Sequence, residues 1–454
     1  MAPKRFPTLP QIRGVDFAAV EAGVRYQNRK DVMLVRLAAG TALAGVFTRS
    51  TTRSGCVRDC QDKLAMKVPA CAGAAIVVNS GNSNAFTGKI GDIAVAEVTG
   101  AVAAALGLPE SAIRAVLDGA QRDPAVIKAD HAQGIFRKTF IDFSTALISK
   151  NRIDNAAIYG RKYDVAFDAA EQKFGVSRGV ILAFWAFETD FGQVQGDFDT
   201  RNALLTLAHD CRRPEIFQPQ VLAAIALTAK GDFVPGQTKG AWAGEIGMVQ
   251  MLPRDILERG EDGDGDGLIT LVSSAPDAIV SAAHMLQFYG WRAGEPWMQE
   301  VTVPQTMDWA QSGLVTELPS AAWQAMGVAP KVGKLADLPA SLILPQGRKG
   351  PAFLVYPNFK VLFEWNKSFT YVTTAAHFAA RIEGAAPYQA GTPDAGLDGD
   401  QMIALQQKLA KRGYEMGKAD GVLGAATRAA VQAEQQRLGL PADGWPTPDL
   451  LDLL

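Results

Sequence analysis

The stretch Gly179-Val180-Ile181-Leu182-Ala183-Phe184-Trp185-Ala186-Phe187-Glu188-Thr189-Asp190-Phe191-Gly192 constrains this chain more than any other. It reads as a helix ending at Gly192, since glycine commonly takes the left-handed position after a last turn. Counting back from Glu188 reaches Trp185, Phe184 and Ile181 on the same helical face. A carboxylate on an apolar face is costly unless it is neutral, paired or used. A general acid with a raised pKa has this profile. So does a glutamate at the edge of the stripe that reaches solvent or an arginine. The surroundings have to decide between the two.

Length bounds the setting. At 454 residues the chain is long for one domain and suggests two or three. Hydrophobic residues at 48% and charged residues at 20% describe ordinary globular material. A formal net charge of −2 leaves no basic footprint, which argues against nucleic acid and against an anionic membrane surface as partner. No apolar run reaches the length of a transmembrane segment. Cys56, Cys60, Cys71 and Cys211 form no C-x-x-C pair, so a zinc site is poorly supplied. The opening Met1-Ala2-Pro3-Lys4-Arg5-Phe6-Pro7 has basic residues but no apolar core behind them, and it is not a recognisable secretory signal.

Residues 1–110 read as a small α/β unit. Asp31 to Leu37 and Ala42 to Phe47 look like paired strands around Gly40. Ala74 to Val78 looks like a buried strand running into Asn79-Ser80-Gly81-Asn82-Ser83-Asn84-Ala85, and Ile93 to Leu106 looks like an alanine-rich helix. Arg13-Gly14-Val15, Gly45-Val46-Phe47-Thr48-Arg49-Ser50 and Val78 to Gly88 resemble the amino-terminal part of the ornithine acetyltransferase/glutamate N-acetyltransferase family of arginine biosynthesis. That family is expected to use a threonine nucleophile from an Ala-Thr-Gly-Val-type motif, activated by its own freed amine. No such motif occurs downstream, so this segment is expected to be a truncated, inactive fragment.

From residue 112 to 390 the pattern becomes helical. Asp164 to Phe174, Ser177 to Phe191, Pro219 to Lys230 and Asp277 to Gly290 have helical spacing. Lys239 to Pro253 is punctuated by Gly240, Gly244 and Gly247, which let backbone approach a ligand, and Gln250 adds a two-way hydrogen-bonding amide. Asp262, Asp264 and Asp266, with Gly267 and Leu268 behind them, match the start of a calcium loop. Ser273 stands where the closing glutamate belongs. Asp277 could close the ring and Leu268 could lend its carbonyl; an acidic turn without metal fits the same residues. Phe363 to Tyr371 interleaves aromatic groups with Asn366, a mixture suited to the apolar faces and polar edges of sugars.

In order, these elements resemble the lytic murein transglycosylases of the membrane-bound lytic transglycosylase B type. The further matches are Cys211-Arg212-Arg213-Pro214-Glu215-Ile216-Phe217 and Leu286 to Trp297. The resemblance implies a lysozyme-like helical fold acting on peptidoglycan glycan strands, with no cofactor beyond a structural Ca2+ in the acidic loop. It makes Glu188 the catalytic acid/base and has Gln250, Asn366 and Tyr371 line the sugar cleft. Arg212 and Arg213 would sit near the ligand, facing carboxylates of the peptide stem. Ala241 stands where the family often has serine, and Met251 where it often has phenylalanine. An ordinary glycosidase needs two carboxylates. A lytic transglycosylase needs one, because the C6 hydroxyl of the sugar itself closes a 1,6-anhydro ring. Asp190, two residues on, faces away and is not a good second carboxylate.

After a Gly/Pro-rich linker, residues 395–454 carry Asp420-Gly421-Val422-Leu423-Gly424 and Thr427 among helical segments. This looks like a small three-helix peptidoglycan-binding domain. The expected whole is a multi-domain, mainly α chain: an α/β fragment (1–110), a transglycosylase domain (112–390) and a wall-binding domain (395–454). The rival readings are an acetyltransferase, which the missing nucleophile disfavours, and a non-catalytic wall-binding protein. The substrate implies a periplasmic location.

Overall fold

The computed structural model describes residues 107–131, 138–210 and 213–454, with short segments before them at 15–20, 30, 32–38, 41–47, 60, 64 and 74–79. Three strands, β1 (Val15–Val20), β2 (Val32–Leu37) and β3 (Ala74–Asn79), form an antiparallel sheet in that order. The sequence pairs β2 with Ala42 to Phe47, but that segment is not a strand. Gly45 has no side chain to pack on a pleated surface, and Val46 is fully exposed. β2 instead pairs Val32 with Val20 and with Asn79. β3 is not buried either: Ile76, Val77 and Val78 all lie open to solvent. The helix expected over Ile93 to Leu106 and the Asn/Ser run after Asn79 lie outside the described residues.

The central body is helical: α1 (Glu110–Leu117), α2 (Pro124–His131), α3 (Phe140–Leu147), α4 (Lys150–Lys162), α5 (Asp164–Phe174) and α6 (Arg178–Thr189). A two-residue pairing of β4 (Phe198–Asp199) with β5 (Lys239–Gly240) brackets α7 (Thr200–His209) and α8 (Pro214–Lys230). α9 (Pro253–Arg259) and α10 (Ala275–Phe288) follow. α5 stops at Gly175, which takes φ 69°. α6 stops earlier than its sequence suggests. Its last helical residue is Thr189, and Asp190 and Phe191 already hold left-handed φ of 50° and 61° before Gly192 is reached.

α6 is not an amphipathic stripe: every residue from Gly179 to Ala186 is buried. It is the axis of the body, and α13 (Phe369–Ile382) lies directly on it. A side chain at Gly179 would come within 2.8 Å of the Ala379 carbonyl, so this crossing requires glycine. Ser177 and the Gly179 amide both donate to Glu383, which supplies an acceptor at the start of α6.

Between α10 and α13 the chain builds something that the helical pattern does not announce. β6 (Met298–Thr302), β7 (Leu318–Pro319), β8 (Ala329–Pro330), β9 (Pro339–Ile343) and β10 (Phe353–Val355) make an antiparallel sheet of order β7-β9-β10-β6-β8, with α11 (Ser320–Ala325) between β7 and β8. Strands of two to five residues are too short to display a period of two. Buried Trp309, Trp323 and Tyr356 give this sheet a small core of its own. α12 (Pro357–Trp365) then leads into α13.

The carboxy-terminal unit comprises α14 (Gly399–Lys411), α15 (Ala425–Arg437) and α16 (Pro448–Leu453) around Leu405, Leu409 and Val431. Gln406 explains its Asp-Gly-x-x-Gly-x-x-Thr motif. The amide donates to Asp420, the Val422 carbonyl and Thr427, and its oxygen accepts from the Gly421 amide. The unit is docked, not merely tethered. Arg428 donates to the Pro345 carbonyl at 2.7 Å and lies over the Phe369 ring at the start of α13. Gln432 donates to the Ser312 carbonyl at 2.9 Å. No helix among the described residues is long and apolar enough to cross a membrane.

Candidate active site

Glu188 sits in the last turn of α6, half-buried, where α13 and the end of α12 close over it. Its Oε1 accepts two hydrogen bonds, from the Tyr371 hydroxyl at 2.5 Å and from the Trp365 indole N–H at 3.0 Å. Phe184, one turn earlier, stacks on Trp365 with ring centroids 4.5 Å apart and fixes the indole's direction. Phe187 stacks on Phe378 at 5.1 Å and meets Tyr371 edge-on. Burial raises the pKa of the carboxyl; the Tyr371 and Trp365 hydrogen bonds pull it back, and the nearby Glu245 pushes it up again. The balance leaves it above the ordinary glutamate value. The Tyr371 hydroxyl is held well above its own ordinary value by burial and by Glu188, so it remains a donor.

The chain turns sharply after this carboxyl, and the turn is built into a second element. Thr189 donates its hydroxyl to the Met248 carbonyl at 2.6 Å and accepts from the Gly192 amide. Arg152 of α4 donates to Asp190 at 3.1 Å and to the Leu147 carbonyl, pinning the left-handed residue. Among the described residues, the non-glycine residues with positive φ are Asp190, Phe191 and Gln250. All three lie here. Such conformations persist only where the surroundings over-determine them, and they concentrate at functional sites.

The glycines of the 239–253 run serve a different purpose from the one their spacing suggests. A side chain on Gly240 would fall 2.1 Å from the Glu245 carbonyl, and one on Gly247 would fall 2.4 Å from the Leu271 carbonyl. The close approach is to the protein's own backbone, not to a ligand. Ala241 closes the hairpin, its amide donating to the Glu245 carbonyl. Met251 is buried and pairs with Ile246. Gln250 spends its amide N–H on the Gln195 and Gly247 carbonyls, which leaves its side-chain oxygen as the polar atom not used in these two bonds.

The other expected ligand residues divide. Tyr371 is on the carboxyl itself rather than simply along the cleft. Asn366 caps the end of α12, and its side-chain oxygen accepts from the Ser368 amide. Arg213 is paired with the buried Asp130 of α2 and stacks over Phe217, so its charge is already engaged within the protein. Arg212 lies outside the described residues. The aromatic run Phe363 to Tyr371 marks this segment in the sequence, but nothing in the run singles out the Trp365 indole.

The acidic loop is locally self-organised. Asp262 accepts from the Gly265 and Gly267 amides, and Asp277 accepts from the Gly263 and Thr270 amides. Asp262, Asp264 and Asp277 bring carboxylate oxygens within 4.8 Å of one another. Asp266 is not in that cluster; its carboxylate accepts from the Leu268 amide. Three hard oxygen donors fit a calcium ion, and each carboxylate oxygen has lone pairs beyond those its amide partners use.

Comparison with known proteins bears on all three parts of the chain. Residues 92–380 match the transglycosylase SLT domain, residues 16–120 match the ArgJ family, and residues 398–454 match a peptidoglycan binding domain. The structure of SltB3 from Pseudomonas aeruginosa in complex with NAG-anhNAM-pentapeptide is similar at a TM-score of 0.73 and 33% identity, covering 80% of this chain and 98% of that one. The Escherichia coli lytic transglycosylase SLT35 in complex with calcium shares the fold, with a TM-score of 0.56 and 23% identity over 63% of this chain and 92% of that one. The amino-terminal part is 60% identical over 111 residues to the arginine biosynthesis bifunctional protein ArgJ of Ruegeria pomeroyi. That match takes in 24% of this chain and 26% of the relative, so the chain spans about a quarter of that protein's length.

Proposed function

We propose that this chain, which belongs to the transglycosylase SLT domain family of peptidoglycan-cleaving lytic transglycosylases, cuts glycan strands with Glu188 as the group that both donates and recovers the proton. The observation that carries the reading is the half-buried Glu188 carboxyl with Tyr371 and Trp365 both donating to one oxygen. Burial makes this carboxyl hold its proton to higher pH than an ordinary glutamate does. Glu188 gives that proton to the glycosidic oxygen between N-acetylmuramic acid and N-acetylglucosamine as the C1–O bond breaks. The sugar's own N-acetyl group assists at C1. The two donors on Oε1 then stabilise the carboxylate left behind, as an oxyanion is stabilised elsewhere. That carboxylate removes the proton from the C6 hydroxyl as its oxygen bonds to C1. The 1,6-anhydro ring closes, no water enters, and the enzyme regains its proton.

Gln250, through its free carbonyl oxygen, and Asn366 orient the sugar. The α14–α16 unit holds the wall polymer while the site cuts, so the protein acts outside the cytoplasmic membrane, in the periplasm. A structural calcium ion would be held by Asp262, Asp264 and Asp277 with the Leu268 carbonyl; it would stiffen the loop before α10 and takes no part in the reaction. Acetyl transfer is not assigned, because the similarity covers about a quarter of the ArgJ relative and the threonine-bearing motif is missing from this sequence. The test is mass spectrometry of the products from purified sacculi. Wild type should release 1,6-anhydro muropeptides and Glu188→Gln should release none. Equal release by the two proteins would end this mechanism.

A further inference from the structure

The carboxy-terminal unit reaches the segment that carries both donors to Glu188. Trp365 ends α12, Tyr371 lies in the first turn of α13, and two local bonds shape the corner between them. Asn366 accepts from the Ser368 amide at 2.9 Å, and the Ser368 hydroxyl accepts from the Tyr371 amide at 3.3 Å. Phe369, the first residue of α13, is buried, and the Arg428 guanidinium of α15 lies over its ring, 4.6 Å from the centroid. That guanidinium is itself held from two other sides. It donates to the Pro345 carbonyl at 2.7 Å, just past β9, and it lies over the Trp445 ring at 5.9 Å. The next residue, Gln346, accepts from the Ile141 amide of α3 at 2.6 Å, so the loop that receives Arg428 is tied to the helical body. Burial lowers the Arg428 pKa to about 10, which leaves it a cation at neutral pH.

We propose that Arg428 is a positioning residue for the reaction: by clamping the Phe369 ring, it holds the first turn of α13 where the Tyr371 hydroxyl meets Glu188. The proposal rests on Glu188 as acid/base. A cation is drawn to an aromatic face most strongly where water is excluded. A planar guanidinium can stack on a ring while its N–H groups reach acceptors beyond the ring's edge, and Arg428 does both, at Phe369 and at Pro345. Phe369 cannot shift alone, because its carbonyl accepts from the Thr373 hydroxyl at 2.7 Å within the same helix. Displacing its ring therefore displaces the turn that carries Tyr371, two residues on. The Tyr371 hydroxyl donates to Glu188 at 2.5 Å, a bond that tolerates little movement. A misplacement of about 1 Å can cost about a hundredfold in rate. The wall-binding unit is thus part of the catalytic assembly as well as a tether, and its influence passes through Phe369 and Tyr371 to Glu188.

The experiment measures kcat and KM on short, soluble, uncross-linked glycan strands for the full chain and for Arg428→Met, Tyr371→Phe, the two combined, and Glu188→Gln. A unit that only tethers the enzyme to the wall has no reason to change kcat on such strands. Arg428→Met should lower kcat roughly five- to tenfold with KM unchanged, no further than Tyr371→Phe does. In the Tyr371→Phe background it should add nothing, because both changes remove the same bond. Phe369→Leu takes away the ring under the cation and keeps an apolar side chain. It should show the same loss and the same failure to add, and it carries the test if Arg428→Met does not fold. An unchanged kcat, a change confined to KM, or losses that multiply in the double variant would overturn the inference while leaving Glu188 in place. Release of 1,6-anhydro product by Glu188→Gln would instead overturn the mechanism on which it rests.

Discussion

Replacing Tyr371 by Phe separates two roles that its position allows. The hydroxyl of the buried Tyr371 donates to Glu188 Oε1 at 2.5 Å. Before proton donation the acceptor is a neutral acid; afterwards it is a carboxylate. A hydrogen bond between neutral groups contributes about 0.5–1.5 kcal/mol and one to a charged group about 1.5–3 kcal/mol. Only the difference, roughly 1–1.5 kcal/mol, belongs to the transition state, which is about a tenfold change in rate. Trp365 still donates to the same oxygen, so the carboxylate is weakened and not abandoned. Tyr371→Phe should thus lower kcat about tenfold with KM unchanged. Because the lost bond favoured the ionised form, the Glu188 pKa rises and the alkaline limb of the pH profile moves upward. Initial rates of 1,6-anhydro product release, followed across pH, read both effects. A raised KM with kcat preserved would refute the reasoning and return Tyr371 to a sugar-binding role.

Other consequences can be checked on the full chain. Because the folded-state pKa of Glu188 is raised, its ionisation opposes folding. That cost is absent below the ordinary glutamate pKa and grows as pH rises through the folded value. Glu188→Gln should therefore melt at a higher temperature than wild type at neutral and alkaline pH and at the same temperature in acid; a lower melting temperature at pH 8 would contradict this. Millimolar calcium should raise the melting temperature, chelator should reverse it, and Asp264→Asn should remove the response. Unmoved melting in calcium would leave the loop a self-satisfied acidic turn. Arg428→Met removes the donor to Pro345 and the cation over Phe369, so the carboxy-terminal unit should undock. Faster proteolysis of the 384–397 linker and a larger radius of gyration would register it; unchanged values would show that Gln432 and the Trp445 indole, which donates to the Asp394 carbonyl at 3.0 Å, suffice.

What could be read from the sequence is what depends on near neighbours. The α5 boundary with its Gly175 stop, the helical setting of Glu188 and the turn-forming Asp262 to Leu268 run all follow from spacings within a few residues. What escaped depends on distant pairings. Trp365 reaches Glu188 across 177 positions of sequence, and only the folded α12–α13 corner brings it there. Gly240 and Gly247 looked like ligand-binding glycines because sequence cannot tell a ligand from the protein's own Glu245 and Leu271 carbonyls. Arg213 reads as available in the sequence because its partner, Asp130, lies far back on α2. The β6–β10 sheet escaped for another reason: its order links strands that are not neighbours in the chain and are too short to show a pattern.

The place of Glu188 along α6 bears on why a single carboxyl can both give and take a proton. A carboxylate in the last turn of a helix meets the negative end of the helix dipole, the reverse of the favoured arrangement. Burial acts in the same direction, and so does Glu245. Three effects thus hold the proton on. Two groups act the other way, Tyr371 and Trp365, and both address one oxygen, Oε1. That leaves Oε2 as the atom available to carry the proton in the proposed reaction. Moving the carboxyl one residue along the helix would turn it about 100° away from both donors. The abrupt left-handed exit at Asp190 and Phe191, pinned by Arg152 and Thr189, is what allows the helix to end at this point while its last turn stays buried. Strain at these two residues therefore holds the carboxyl where the proposed reaction needs it, against the same two donors on Oε1.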